Sequence, residues 1–277
     1  MATINAASWQ GLDHIGVIAP GKLADLAIID GNLEDMKVTQ VFLKGDLVAA
    51  DGNLLINLPA YQYPNSVKKS VKRAPIIAED LMVPTDKTGK VSVNCIGLIL
   101  DQNLSEAILT EMETDGGFVK PGLKADLLPI AVVGRHGQSD IGKTFVQGFN
   151  MAHGAMAETV SHDTHNIIVV GTNYQDMTVA VNRVIEMQGG VVLAKEGQVI
   201  GDLPLRIGGL MTDELNAHDL TKKMAYLTQL ANEELDCQAH APFMHLAFLS
   251  LSTSPKWKVT DKGVIDVVNY RILPTIN

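Results

Sequence analysis

Most of the features that would assign this chain a function quickly are scarce or missing. It carries two cysteines, Cys95 and Cys237, in 277 residues. That excludes a disulfide framework and a cysteine-rich zinc site, and it suits a reducing cytosol. Cations are short: Lys and Arg number 22 against 31 Asp and Glu, a formal net charge of -9. Nucleic acid is therefore not an expected partner, because binding phosphates needs a local excess of positive charge. The longest apolar runs, residues 127–134 and 244–251, are far too short to cross a bilayer, so no membrane association is expected. The N-terminus lacks the cationic start and apolar core of a signal peptide. There is no H-x-H, no H-E-x-x-H, no P-C-x-x-C with H-x-E and no G-x-S-x-G, so recognised motifs assemble no self-sufficient catalytic metal site. What is present, 46% apolar and 19% charged residues, describes a soluble, acidic, cytoplasmic globular chain long enough for about two domains.

Met1 to Trp9 has helical composition but no Ser, Thr, Asp or Asn ahead of it to cap its first turn, so the chain reads as if it starts inside a helix. Ala24–Asp30 then reads as a short buried strand. Val38–Leu43 and Leu47–Ala50 form a hairpin around Lys44-Gly45-Asp46, and Leu54-Leu55-Ile56 adds a further strand. Roughly sixty residues of this kind make a poor independent core. Residues 59–90, with Lys68, Lys69, Lys72, Arg73 and scattered prolines, read as a linker whose basic cluster is a solvated face rather than a nucleic-acid patch. From Val91 the pattern becomes βα-like. Strands are expected over Val91–Leu100, Asp126–Gly134, Asn166–Gly171 and Val191–Ala194, with helices over Tyr174–Met187 and from Asp213 to about Asp236. The fold class is thus α/β (α+β): a small β-sandwich remnant over residues 1–58, the linker over 59–90, and a mixed-sheet α/β domain over 91–277. No repeat or low-complexity segment is present.

Two constellations could carry chemistry. Gly137-Gln138-Ser139-Asp140-Ile141-Gly142-Lys143-Thr144 satisfies G-x-x-x-x-G-K-[ST], in which Lys143 would meet the β/γ-phosphates and Thr144 a Mg²⁺ ion. Its context is poor. Gly148 and Gly154 weaken the helix that should follow, and no downstream strand ends in a Mg²⁺-binding Asp. The second constellation is Ser161-His162-Asp163-Thr164-His165-Asn166 at a strand entrance, either a proton-handling or polar-ligand site or a hydrogen-bonded structural loop. If this segment is extended, Asp163 and His165 share a face; if it turns, His162 and His165 converge. Arg135 and His136 end one strand as this segment begins another, so the two groups are expected at one sheet edge, unless they are simply a surface Arg and a half-exposed His. His240 and His245 lie in an apolar stretch and read as core or helix-cap residues.

Taken together, these residues resemble the C-terminal part of an adenine deaminase of the amidohydrolase superfamily. The opening, Met1–Ala7 through Gly11-Leu12 to Gly16–Leu26, is similar to the end of the last barrel helix and the return into the small β-sandwich. More specific are Arg135-His136-Gly137, Gly148-Phe149, Ser161 through Gly171, Asp176-Met177, Gly208-Gly209-Leu210-Met211, Pro242-Phe243-Met244 and Thr260-Asp261, in the family's order. The chain departs from the family at His153, Glu158 and Arg206 and around Leu251–Pro255, which bears on substrate preference more than on fold. The resemblance implies hydrolytic deamination of adenine to hypoxanthine and ammonia by a dinuclear Mn²⁺ or Fe²⁺ site. The His, Glu and Asp ligands of that site come from a (β/α)₈ barrel that this chain lacks. It places His162, Asp163, His165, Arg135 and His136 next to the active-site mouth, with no metal ligand and no cofactor held by this chain alone. The implied partners are adenine, the barrel or a barrel-bearing chain, and further copies in a homo-oligomer. Two other readings stand beside it: a non-catalytic binding or oligomerisation module, and a P-loop nucleotide binder through Gly137–Thr144.

Overall fold

A computed structural model of the chain describes residues 3–32 and 34–277. It divides into two compact units, one ending at Gln62 and the other beginning at Tyr63.

The first unit holds a short helix, α1 (Ile4–Trp9), with no side-chain cap at Thr3. Four strands follow, β1 (Leu26–Asp30), β2 (Lys37–Leu43), β3 (Asp46–Ala50) and β4 (Asn53–Leu54), in a meander of order β1-β2-β3-β4. The β2–β3 hairpin turns through Lys44 and Gly45, both at positive φ (54° and 92°), the type I′ geometry whose twist matches the flanking strands. No position in the four strands is buried, and Ala7 is the one buried side chain among the described residues of this unit.

The second unit begins with two short helices, α2 (Asn65–Lys68) and α3 (Ala78–Leu81). The strands β5 (Lys90–Leu98), β6 (Ser105–Asp115), β7 (Phe118–Val119), β8 (Leu128–Val133), β9 (Ile141–Gln147), β10 (Ala155–Glu158) and β11 (Ile167–Gly171) follow. Then come α4 (Tyr174–Glu186), β12 (Gly190–Lys195), β13 (Gln198–Pro204), α5 (Ala217–Glu234) and α6 (Pro242–Phe248). Strands β5 to β13 make one nine-stranded sheet of order β13-β12-β10-β11-β8-β9-β5-β6-β7. Every pairing in it is antiparallel except β5 with β9. A separate three-stranded sheet closes the chain: β14 (Trp257–Thr260), β15 (Gly263–Asp266) and β16 (Arg271–Leu273).

Side-chain alternation sends the two halves of each central strand into two different cores. Ile130, Val132, Met156, Ile168, Val170 and Leu193 pack with Leu227 and Ala231 of α5 and Leu246 of α6. Ala131, Val133, Ala157, Ile167, Val169 and Val192 pack with Met177, Ala180, Val181 and Val184 of α4. Helices thus cover both faces, and β8, β10 and β11 are buried at every position. That explains their continuous apolar runs. Helix α4 starts where its cap predicts: the Asn173 side chain accepts from Asp176 N at 2.8 Å, satisfying a first-turn N–H.

Residues 63–90 belong to this unit. Val71, Ile76, Leu81 and Val83 are buried, Asn182 of α4 clasps Ile76 through its N–H and carbonyl at 2.9 and 3.0 Å, and Lys68 pairs with Asp213 at 2.7 Å. The stretch's polar composition hides four apolar anchors spaced along it. The P-loop pattern is overturned. Gly142, Lys143 and Thr144 lie inside β9, whose partners are β8 and β5. Lys143 Nζ donates to Asp80 O (2.7 Å) and Thr144 Oγ1 to Asn94 O (2.5 Å). Gly142 is glycine because a Cβ there would stand 1.8 Å from Thr260 O, on the crossing β14–β15 hairpin.

Candidate functional site

The antiparallel pairing of β8 with β11 sets Val133 opposite Ile167, so the residues after β8 and those before β11 emerge at the same sheet edge. Arg135-His136 and Ser161–Asn166 meet there. The Ser161–Asn166 segment turns rather than extends: His165 N donates back to Ser161 O at 2.7 Å, and His165 adopts φ 51°. His162 and His165 therefore converge, with ring centroids 5.5 Å apart at 66°, while Asp163 and Thr164 are exposed at the tip.

Arg135 is not a surface residue; it is 2% exposed. Its guanidinium is spent on holding the loop. Nε donates to His165 O, Nη1 to Ser70 Oγ at 2.9 Å and Nη2 to Gly208 O at 2.8 Å. Its backbone N–H goes to Asn166 Oδ1 at 3.1 Å. Gly209, at φ 77°, lies so close that a Cβ would fall 2.9–3.0 Å from the guanidinium atoms. That accounts physically for glycine at position 209. His136 is exposed, and its Nε2 donates to Thr164 O at 2.8 Å, which fixes the proton on that nitrogen.

From the other side, Ser250, just beyond α6, supports the loop. Its Oγ lies 2.8 Å from His162 O and 2.6 Å from Ser161 Oγ. A single hydroxyl proton given to the His162 carbonyl leaves Ser161 as donor to Ser250. The His162 ring stacks on Phe248, centroids 5.7 Å apart at 24°. His165 is half-buried, and its Nδ1 is enclosed with no hydrogen-bond partner. Burial first, then the neighbouring His162 and Arg135, lower its pKa below the ordinary 6.5, so the ring is neutral at pH 7.

One further group, which the sequence reading marked only as a departure from the family, borders this region. Glu158, at the end of β10, is 2% exposed, and its Oε1 has no partner. It shares with His162, Phe243 and Met244 the wall of a mostly apolar cavity of about 230 Å³. Burial pushes its pKa well above the usual carboxylate value, which favours the neutral acid, the form able to donate a hydrogen bond into that space. The available signal was a carboxylate in the small, apolar run Ala155-Met156-Ala157, where a charged group is costly.

The loop does not form a metal-ligand set. Among the described residues, the group of three His, Cys, Asp or Glu donors that converges is Asp101, His240 and His245, and it contains none of His162, Asp163 or His165. What the arrangement offers is a rigid polar tip, with an exposed carboxylate beside a neutral imidazole.

Comparison with known proteins gives this geometry a family. The family described as adenine deaminase C-terminal domain matches residues 102–271, and the amidohydrolase family matches residues 1–48. The chain is 54% identical over 277 residues to adenine deaminase 1 of Carboxydothermus hydrogenoformans, covering all of this chain and 46% of that protein. It is 42% identical to the adenine deaminase of Desulforamulus reducens, over 100% of this chain and 47% of that one. It is 35% identical to that of Staphylothermus marinus, over 100% and 46%. The chain spans about half the length of the curated relatives it matches. With the Arg135 brace, the Ser161–Asn166 turn and the Gly208-Gly209 contact all inside the matched stretch, the chain belongs to the adenine deaminase C-terminal domain family.

Proposed function

We propose that this chain serves hydrolytic deamination of adenine to hypoxanthine and ammonia as the C-terminal part of an adenine deaminase, working with an amidohydrolase barrel on the same polypeptide or on a partner chain. The observation that carries this is the match of the specific domain over residues 102–271 together with an amidohydrolase match over residues 1–48. The exposed apolar surface of the first unit supports it. Trp9 and Ile18 are 87% and 85% exposed and Leu58 64%, apolar surface on a scale that calls for cover.

The residues at the Ser161–Asn166 turn do not fit the Mn²⁺ or Fe²⁺ pair expected of the whole enzyme, so no step is routed through a metal held here. Their proposed part is to border the purine. Asp163 and neutral His165 offer hydrogen bonds to its amine edge and take part in moving a proton toward departing ammonia. Arg135, Asn166 and Ser250 act as positioning residues that hold the turn. A cytoplasmic setting and assembly into a homo-oligomer belong to the same proposal.

Ammonia release from adenine tests it. The chain by itself should be inactive and should gain turnover when the barrel is supplied in trans or fused ahead of it. In that assembled enzyme, replacing His162, Asp163 and His165 together by Ala should lower kcat/KM at least about a hundredfold, the lower end of what one positioned acid–base group contributes. An unchanged rate would remove these residues from the reaction.

A further inference from the structure

A second cluster of ionisable side chains lies around α6, and nothing in the deaminase reading uses it. Asp101 sits in the turn between β5 and β6, His240 two residues ahead of α6, and His245 within α6. Both Nδ1 and Nε2 of His245 are enclosed without any hydrogen-bond partner, although the residue is only 3% exposed. A buried imidazole normally satisfies at least one nitrogen, because an unpaired buried polar group costs free energy. Its neighbours are themselves ligand-type groups. The His240 ring meets it edge-on, centroids 5.7 Å apart at 88°, and His240 Nε2 lies 3.0 Å from Asp101 Oδ1. One ligand atom from each of the three lies within 4.8 Å of the other two.

We propose that Asp101, His240 and His245 form a binding site for a single divalent transition-metal ion of the zinc type. Two imidazoles and a carboxylate are the borderline donor set that such ions take, with the fourth position left to water. Bond lengths near 2.0–2.1 Å put ligand atoms about 3.3 Å apart around a tetrahedral ion. Closing to that value asks only the two outer side chains to turn. Asp101 and His240 are 69% and 68% exposed at the side chain, whereas His245 is held in packing. The ion would tie the β5–β6 turn to the start of α6 and give the buried imidazole its missing partner. The cluster needs neither the barrel nor a purine, so its fate is independent of the deaminase proposal.

The test is metal binding by the tag-free full chain after stripping with EDTA, using Zn²⁺ in calorimetry and Co²⁺ in visible absorption. About one equivalent of Zn²⁺ should bind, with a raised Tm and Co²⁺ bands of a four- or five-coordinate ion. Asp101→Asn and His240→Ala should each weaken binding by about tenfold or more and abolish the Tm shift, and both lie at exposed positions where folding is not at stake. His245→Phe should remove binding, and His162→Ala with His165→Ala should leave it intact. No stoichiometric binding, binding that survives both Asp101→Asn and His240→Ala, or binding lost with His162 and His165 would each overturn the site.

Discussion

Replacing Glu158 by Gln isolates the cost of keeping a carboxyl group inside the apolar cavity beside His162. The pair differ little in shape, but only Glu can ionise. In the folded protein burial raises the Glu158 pKa well above the ordinary 4.5; the unfolded chain keeps a value near that ordinary one. Below about pH 4 both states hold the proton, and the group imposes no pH dependence. As the pH rises between the two values, the unfolded chain releases its proton while the folded one retains it, so unfolding becomes progressively favoured. The slope for one proton is about 1.4 kcal/mol per pH unit. Glu158→Gln removes that slope, so the stability gap between variant and parent should widen by about 1.4 kcal/mol per unit as the pH rises from 5 toward the folded value. Urea unfolding at half-unit intervals measures it, followed by Trp257 fluorescence in a Trp9→Phe background so that the reporter lies in the larger unit. A gap that stays flat between pH 5 and 7 would show that Glu158 is ionised in the fold, and the description of the cavity as holding a neutral acid would fail.

Gly209→Ala adds a Cβ against the Arg135 guanidinium at φ 77° and should destabilise the larger unit by about 2 kcal/mol; a denaturant midpoint within error of the parent would contradict the contact. The His165 ring should titrate below 6.5, the direction set by its burial and by His162 and Arg135, and a C2–H NMR titration with a midpoint above 6.5 would place the ring in solvent or beside a carboxylate. ATP with Mg²⁺ should give no binding heat with the parent chain, because Lys143 and Thr144 are committed to Asp80 O and Asn94 O within β9; heat that disappears in Lys143→Ala would restore the P-loop reading.

The sequence exposes elements whose two signals agree. Helix α4 was readable because a capping Asn173, an apolar stripe and a Gly189-Gly190 stop coincide, and its observed span, Tyr174–Glu186, lies within a residue of the expected one. Strands β8 and β11 were readable as unbroken apolar runs. Strand β9 was not, since Gly142, Lys143 and Thr144 satisfy a loop motif, and only the β14–β15 hairpin lying across Gly142 reveals why a strand carries glycine there. The β14–β16 sheet and α6 escaped because they are short and take their order from tertiary packing rather than from periodicity. At the candidate site, the convergence of His162 with His165 was one of two open alternatives, decided by the return hydrogen bond to Ser161. The fully buried bracing by Arg135 had no sequence signal, because a guanidinium satisfied by distant carbonyls leaves no local pattern. Likewise, His245 was readable as a core residue, but His240 is exposed, paired at the surface with Asp101.

Strands β10 and β11, which carry the Ser161–Asn166 turn between them, sit in the middle of the nine-stranded sheet with helices on both sides. Their amides should therefore open only when the whole unit opens, and the turn inherits that stiffness at both ends. A molecule arriving at the His162–His165 edge would find that wall unyielding. Any give needed to admit it must come from the opposite bank, where α6 and the Phe248–Ser250 shoulder lean on the turn through one ring stack and one hydroxyl.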